Sequence, residues 1–247
     1  MFQRGFIPGP QESEEAFLRR SGTSIQAAHD WQEAHEILQR LYQVKPDWIP
    51  LHFSNRDLPF WQGAATWIGE ASTVQLRERF RVNKGGLYTQ KEVLAHEAVH
   101  AMRCAFEEPR FEEMLAYQTS ASRLRRWFGP LFRVSWESTL LVVLLCLSLL
   151  AEAVCLFLDI SPTACVLPPS AAIAYGLVRL AAAHLTFQRC KKKVGLAFTL
   201  CLTDREVACF ARWPVPRIEA HLRSRGDFRG KWLLHAFCIP KEFEKLV

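Results

Sequence analysis

The chain of 247 residues carries 31 Lys and Arg against 25 Asp and Glu, a formal net charge of +6, and 49% of its residues are apolar. This composition excludes a wholly disordered or collagen-like chain, and the length allows one compact domain with additions or two small ones. The charge is uneven: residues 1–121 hold 13 basic and 16 acidic side chains, residues 188–247 hold 13 and 6, and the stretch between is almost purely apolar. One uniform soluble domain is therefore excluded.

The opening MFQRGFIPGPQESEE lacks the apolar run of a signal peptide and reads as a flexible tail over residues 1–22. A helix is expected over Ser24–Val44, where Ile25, Ala28, Trp31, Ala34, Ile37, Leu38 and Leu41 recur at helical spacing. Strand-like runs follow at Trp48–Phe53, Ala64–Ile68 and Thr73–Val82, and Asn83-Lys84-Gly85-Gly86 reads as a turn. Ala64–Ile68 reads equally as a core strand or as an edge strand that pairs with an extended peptide.

Thr89-Gln90-Lys91-Glu92 is a capping box that opens the next helix, VLAHEAVHAMRCAF. That helix carries His96-Glu97-Ala98-Val99-His100, an HExxH pattern. Residues i and i+4 project from one face, so two imidazoles converge on one ion, and Glu97 stands where it can take a proton from a metal-activated water. Cys104 is discarded as a third ligand, because donors at i, i+4 and i+8 on a straight helix span about 12 Å while metal–ligand bonds are about 2 Å. Pro109 disfavours helix at Glu108, so a second helix begins there and places Glu112 and Glu113 in its first turn. Folded back over the first helix, either carboxylate would complete a His₂Glu site with an open position for water. Tyr117, one turn later, is a candidate oxyanion donor or a structural tyrosine.

Over about 25 residues the sequence here resembles the zincin metallopeptidases, specifically the gluzincin branch. In that branch a downstream helix supplies the third ligand as a Glu followed three residues later by a small residue. Phe111-Glu112-Glu113-Met114-Leu115-Ala116-Tyr117 is similar to that element, with Ala116 three residues after Glu113. The resemblance implies that His96, His100 and Glu113 bind one zinc ion per chain, with Glu112 in reserve, and that Glu97 is the general base.

Ser138 to Leu158 forms 21 residues whose one charge is Glu152, and Pro168 to Phe187 forms a second apolar stretch containing Arg179. At ~1.5 Å per residue each is long enough for a ~30 Å hydrocarbon core, and a transmembrane hairpin is expected within residues 131–190. Their depths below the connecting loop suggest a Glu152–Arg179 pair. Arg123, Arg125, Arg126 and Arg133 precede the hairpin, Arg189, Lys191, Lys192 and Lys193 follow it, and its loop holds no Lys or Arg. The positive-inside rule then puts both termini in the cytoplasm, in an integral protein of a cytoplasmic or plasma membrane. The eight cysteines show no CxxC spacing and read as reduced thiols.

Residues 191–247 contain a capped helix start at Leu202-Thr203-Asp204-Arg205-Glu206 and an amphipathic helix at Ile218–Arg225. Their basic charge suits anionic lipid headgroups beside a cytoplasmic exit, and nucleic acid is not expected as a partner. The fold class is α+β: a zincin-like domain over residues 23–130 (helix, small sheet, HExxH helix, ligand helix), the hairpin, and a small, mostly helical C-terminal region. The leading function is a membrane-anchored zinc metallopeptidase that hydrolyses peptide or protein substrates near the inner face. The competing class is a non-enzymatic membrane adaptor with a structural or decayed site; Glu97, which a structural site has no need of, separates the two.

Overall fold

The computed structural model describes residues 1–22, 31–60, 62–69, 72–81 and 88–237. The helix start at Ser24, with Ile25 and Ala28, the Asn83–Gly86 turn and Cys238 lie outside the described residues. The fold is mixed α/β, mostly helical, with one three-stranded sheet.

Residues 1–22, expected as a flexible tail, are instead part of the core. A short 3-10 turn leads to Phe6 and Ile7, which are fully buried, and Glu14–Gly22 forms α1 with Phe17 inside. Four apolar side chains in seventeen residues (Phe2, Phe6, Ile7, Phe17) outweighed the polar signal of the glutamates between them. Helix α2, Gln32–Tyr42, buries Ala34 and Leu38 of the expected stripe, leaves Ile37 and Leu41 partly buried, and buries Tyr42, which that stripe did not include.

Strands β1 (Leu51–Phe53), β2 (Ala64–Trp67) and β3 (Thr73–Leu76) form a sheet in the order β1-β3-β2. Strand β3 pairs parallel with β1 and antiparallel with β2, which leaves β2 at an edge. The third strand is shorter than the run to Val82 suggests. The Arg77 side chain donates to the carbonyls of Leu58 and Gln62, and Glu78–Phe80 then turns as a 3-10 helix that buries Phe80.

Helix α3, Gln90–Met102, starts at the expected capping box of Thr89 and Glu92. Helix α4, Pro109–Tyr117, opens with Pro109 behind an extended Glu108, and α5, Arg123–Phe128, is capped by Ser122. Two long helices follow, α6 (Ser135–Phe157) and α7 (Leu167–Val194), both long and apolar enough to cross a membrane. They differ in surroundings. Apart from Ser148, the apolar stretch of α6 has no buried residue, whereas α7 beyond Arg179 buries Leu180, Ala183, His184, Phe187, Cys190 and Val194 against the rest of the protein. The second apolar segment therefore leaves its exposed environment near Arg179, not at Phe187.

The expected Glu152–Arg179 pair does not form. Arg179 makes a two-pronged ion pair with Glu137 at the start of α6, with one contact of 2.8 Å. The loop explains the shift: residues Pro162–Val166 fold back beside α6, and Ser148 donates its hydroxyl to the Cys165 carbonyl. That return carries the start of α7 about 13 Å along α6, nine residues of helical rise, so Arg179 arrives level with Glu137.

The C-terminal helices α8 (Leu196–Leu200), α9 (Asp204–Phe210), α10 (Val215–Ser224) and α11 (Phe228–Ala236) share one hydrophobic core with α2, α3 and α4. Residues 191–237 thus pack into the same core as the N-terminal region, and α11 has no counterpart in the sequence expectation. Arg103, fully buried at the end of α3, donates to the carbonyls of Leu200 and Leu202 at 2.6 and 3.0 Å. Asp204 caps α4 from a distance, accepting from the amides of Arg110 and Phe111 at 2.9 and 3.1 Å.

Arg229 and Glu206 form the buried ion pair of this region, with contacts of 2.7 Å. Burial pushes the Glu206 carboxyl up, but the hydrogen bonds and charge of Arg229 outweigh it and hold the group below its usual range. A carboxylate depressed on folding stabilises fully above its unfolded value, and the contribution is lost as pH falls through the folded one. Acid unfolding monitored by circular dichroism should therefore show Glu206→Gln losing the stability advantage of the wild type above about pH 5 and converging with it in acid. Arg229→Ala strands Glu206 with only Arg225 beside it and should cost about 3 kcal/mol, read as a lower unfolding midpoint.

Candidate metal centre

Helix α3 presents His96 and His100 one turn apart, and their Nε2 atoms lie 3.2 Å from each other. Glu113, from the second turn of α4, brings one oxygen to 3.5 Å from His100 Nε2 and the other to 3.7 Å from His96 Nε2. A tetrahedral ion with bonds of about 2.0–2.1 Å keeps its ligand atoms about 3.3 Å apart. The three side chains that the sequence nominates are thus brought together at the spacing one ion requires, and the cluster could hold a metal ion. Two imidazole nitrogens with one carboxylate suit zinc, while leaving other divalent ions possible as competitors.

Glu112, held in reserve as a ligand, has a different place. Its Oε1 lies 2.7 Å from His100 Nδ1, on the ring edge away from the cluster. A proton on Nδ1 shared with this carboxylate leaves Nε2 as the lone-pair donor aimed at the ion. Arg103 stands 3.9 Å behind Glu112. Glu112→Ala should lower metal affinity about 10–100-fold without abolishing it, measured by competition with a chelating dye.

Glu97 sits beside the cluster, and its Oε2 accepts the Thr66 hydroxyl at 2.8 Å. Thr66 lies on β2, so the sheet edge and the HExxH helix meet at the proposed base. The ring of Tyr117 stands edge-on to His96 at 4.7 Å. Gly129 packs on the other side of Tyr117, where a side-chain carbon would collide with the ring. Around these groups opens a cleft of about 510 Å³, walled by the edge strand, Arg79, Tyr88, Tyr117 and Arg125.

The electrostatics favour a cation. Burial works against the His100 imidazolium, but the Glu112 hydrogen bond and the charges of Glu113, Glu97 and Glu112 prevail, raising it to about 9. Burial and the neighbouring His100 charge drive His96 well below its ordinary value, into the neutral form a metal ligand needs. Burial lifts the Glu97 and Glu113 carboxyls, each opposed by His100. Burial also raises Tyr117, keeping its hydroxyl a proton-bearing donor.

No known protein family model matches the chain, and no curated protein and no solved structure is significantly similar to it. The site therefore rests on its own geometry. Thr66, Arg103 and Asp204 are the contributors that sequence reasoning did not find. All three lie in segments singled out there, Thr66 in the candidate edge strand, Arg103 in the HExxH helix and Asp204 in the capped helix start, but their parts in the site were not among the expectations.

Proposed function

We propose that this chain is a membrane-anchored, zinc-dependent metallopeptidase with a zincin-like, gluzincin-type site of His96, His100 and Glu113, facing the cytoplasm. The observation that carries the reading is the convergence of three donors at ion spacing with a second carboxylate, Glu97, beside them and an open cleft in front. Bound zinc would supply a Lewis acid that polarises water and the scissile carbonyl. Glu97 accepts the proton of the attacking water and returns it to the leaving amine. Its buried setting makes it a stronger base than a solvated carboxylate, and Thr66 fixes the carboxylate that does this.

The open edge of β2 gives an extended peptide backbone hydrogen-bonding groups in register beside Glu97. Tyr117 lines the cleft, and its hydroxyl has no hydrogen-bond partner among the described residues, so it is the donor available to the developing oxyanion. The basic flanks of the hairpin support a cytoplasmic site.

Purified full-length protein in detergent should contain near one zinc per chain and cleave members of a mixed peptide library. A strong chelator should stop cleavage, and added zinc should restore it. Protein that holds no metal even after zinc is supplied would sink the reading and leave the adaptor class.

A further inference from the structure

The six residues of α5, Arg-Leu-Arg-Arg-Trp-Phe, divide between two environments. Arg125 points inward: its guanidinium lies 3.2 Å from Glu92 and over the Tyr88 ring, and it walls the metal cleft. Leu124, Trp127 and Phe128 are 71%, 54% and 54% exposed. Large apolar side chains left in water on so short a helix call for a cover.

Their position says which cover. The Arg179–Glu137 pair marks the end of the exposed apolar surface of α6, whose membrane-length stretch Trp136–Phe157 has 22 residues, about 33 Å at helical rise. Trp136 at that end is itself exposed. Helix α5 is pinned to α7 just beyond: His184 donates to the Trp127 carbonyl at 2.7 Å, and the two rings stack at 4.4 Å. His184 follows Arg179 by five residues, about 7 Å of helix. Outside the hydrocarbon core each headgroup layer is about 5–8 Å thick, and tryptophan concentrates there. Exposed Arg123 on the same helix matches anionic headgroups.

We propose that α5 is a bilayer-surface helix: Leu124, Trp127 and Phe128 enter the headgroup layer while Arg125, about 100° round the helix from Leu124, forms a wall of the metal cleft. The cleft then lies within about one helix diameter, 10–12 Å, of the lipid surface. The substrate class that follows is the juxtamembrane segment of proteins themselves anchored in the same bilayer. The lipid contact rests on the membrane-anchor reading, and the substrate class rests also on the peptidase reading.

The contact is tested without catalysis. Full-length wild type, Trp127→Phe, Trp136→Phe and Trp48→Phe are placed in nanodiscs of phosphatidylcholine and phosphatidylglycerol, with and without brominated acyl chains. The fluorescence assigned by difference to Trp127 should fall at least two-fold with bromine, as should that of Trp136, whereas Trp48, buried in the core, should be unaffected. Quenching of Trp136 without Trp127 would overturn the surface helix, and quenching of neither would overturn it together with the anchor. For the substrate class, one reporter sequence is offered free in solution or tethered in the same nanodisc by a single apolar helix and a five-residue linker. The tethered form should be cleaved at least ten-fold faster, and the preference should disappear in Leu124→Glu/Trp127→Glu. Equal rates would overturn the substrate class. No cleavage of either form would overturn it with the peptidase reading, and the quenching data would show that the lipid contact is a separate matter.

Discussion

Glu97→Gln should keep its zinc and lose between about 10²- and 10⁴-fold in peptide hydrolysis, the range expected for removing a positioned general base. The substitution is nearly isosteric. Its amide oxygen can still accept the Thr66 hydroxyl bond that Glu97 accepts at 2.8 Å, so the side chain stays in place while its proton affinity is gone. The pair of readouts is what discriminates: metal content by atomic emission, and turnover of a library-derived peptide. If Glu97→Gln hydrolysed peptides as fast as wild type, Glu97 would have no part in proton transfer.

The largest effect on the metal should come from His100→Ala and Glu113→Ala, each leaving two donors where three converge within 4.8 Å. Zinc should fall from near one per chain to background in both after dialysis against a weak chelator. Activity should vanish with it. Removing His100 leaves one imidazole and one carboxylate, too few donors for a tightly held ion, so added zinc should not rescue that variant. A Glu113→Ala protein that retained its ion would show that the third donor had been misassigned, and Glu112→Ala would then be the variant that loses it.

What could be read from the chain in advance follows the range of the forces involved. The HExxH helix was legible because its signals are local: a capping box opening at Thr89, five residues before Leu94, the first buried apolar side chain of the helix, and two histidines one turn apart. Pro109 gave away the next helix for the same reason, since a first-turn proline loses no helical hydrogen bond. Choosing Glu113 over Glu112 needed a resemblance, because adjacent positions on a helix differ by only about 100° and their partners decide between them. Glu112 turned out to face the outer nitrogen of His100. Thr66 with Glu97, and Arg103 with Leu200, span 31 and 97 residues of sequence. No periodicity announces such pairs; many side chains of equal chemistry compete for each partner until the fold decides. The Arg179 pairing failed differently: a depth computed from straight helices cannot foresee a loop that turns back beside α6.

The cap that Asp204 places on α4 has a consequence for how the protein is made. The helix that carries Glu113 takes the hydrogen bonds for its first free amides from a residue more than ninety positions downstream, beyond both apolar helices. A nascent chain that has synthesised the whole HExxH region therefore still lacks the group that seats its third donor. The candidate centre is completed only after both apolar helices have left the ribosome, so on the proposed reading the peptidase would come into being already tethered, with no interval as a free hydrolase.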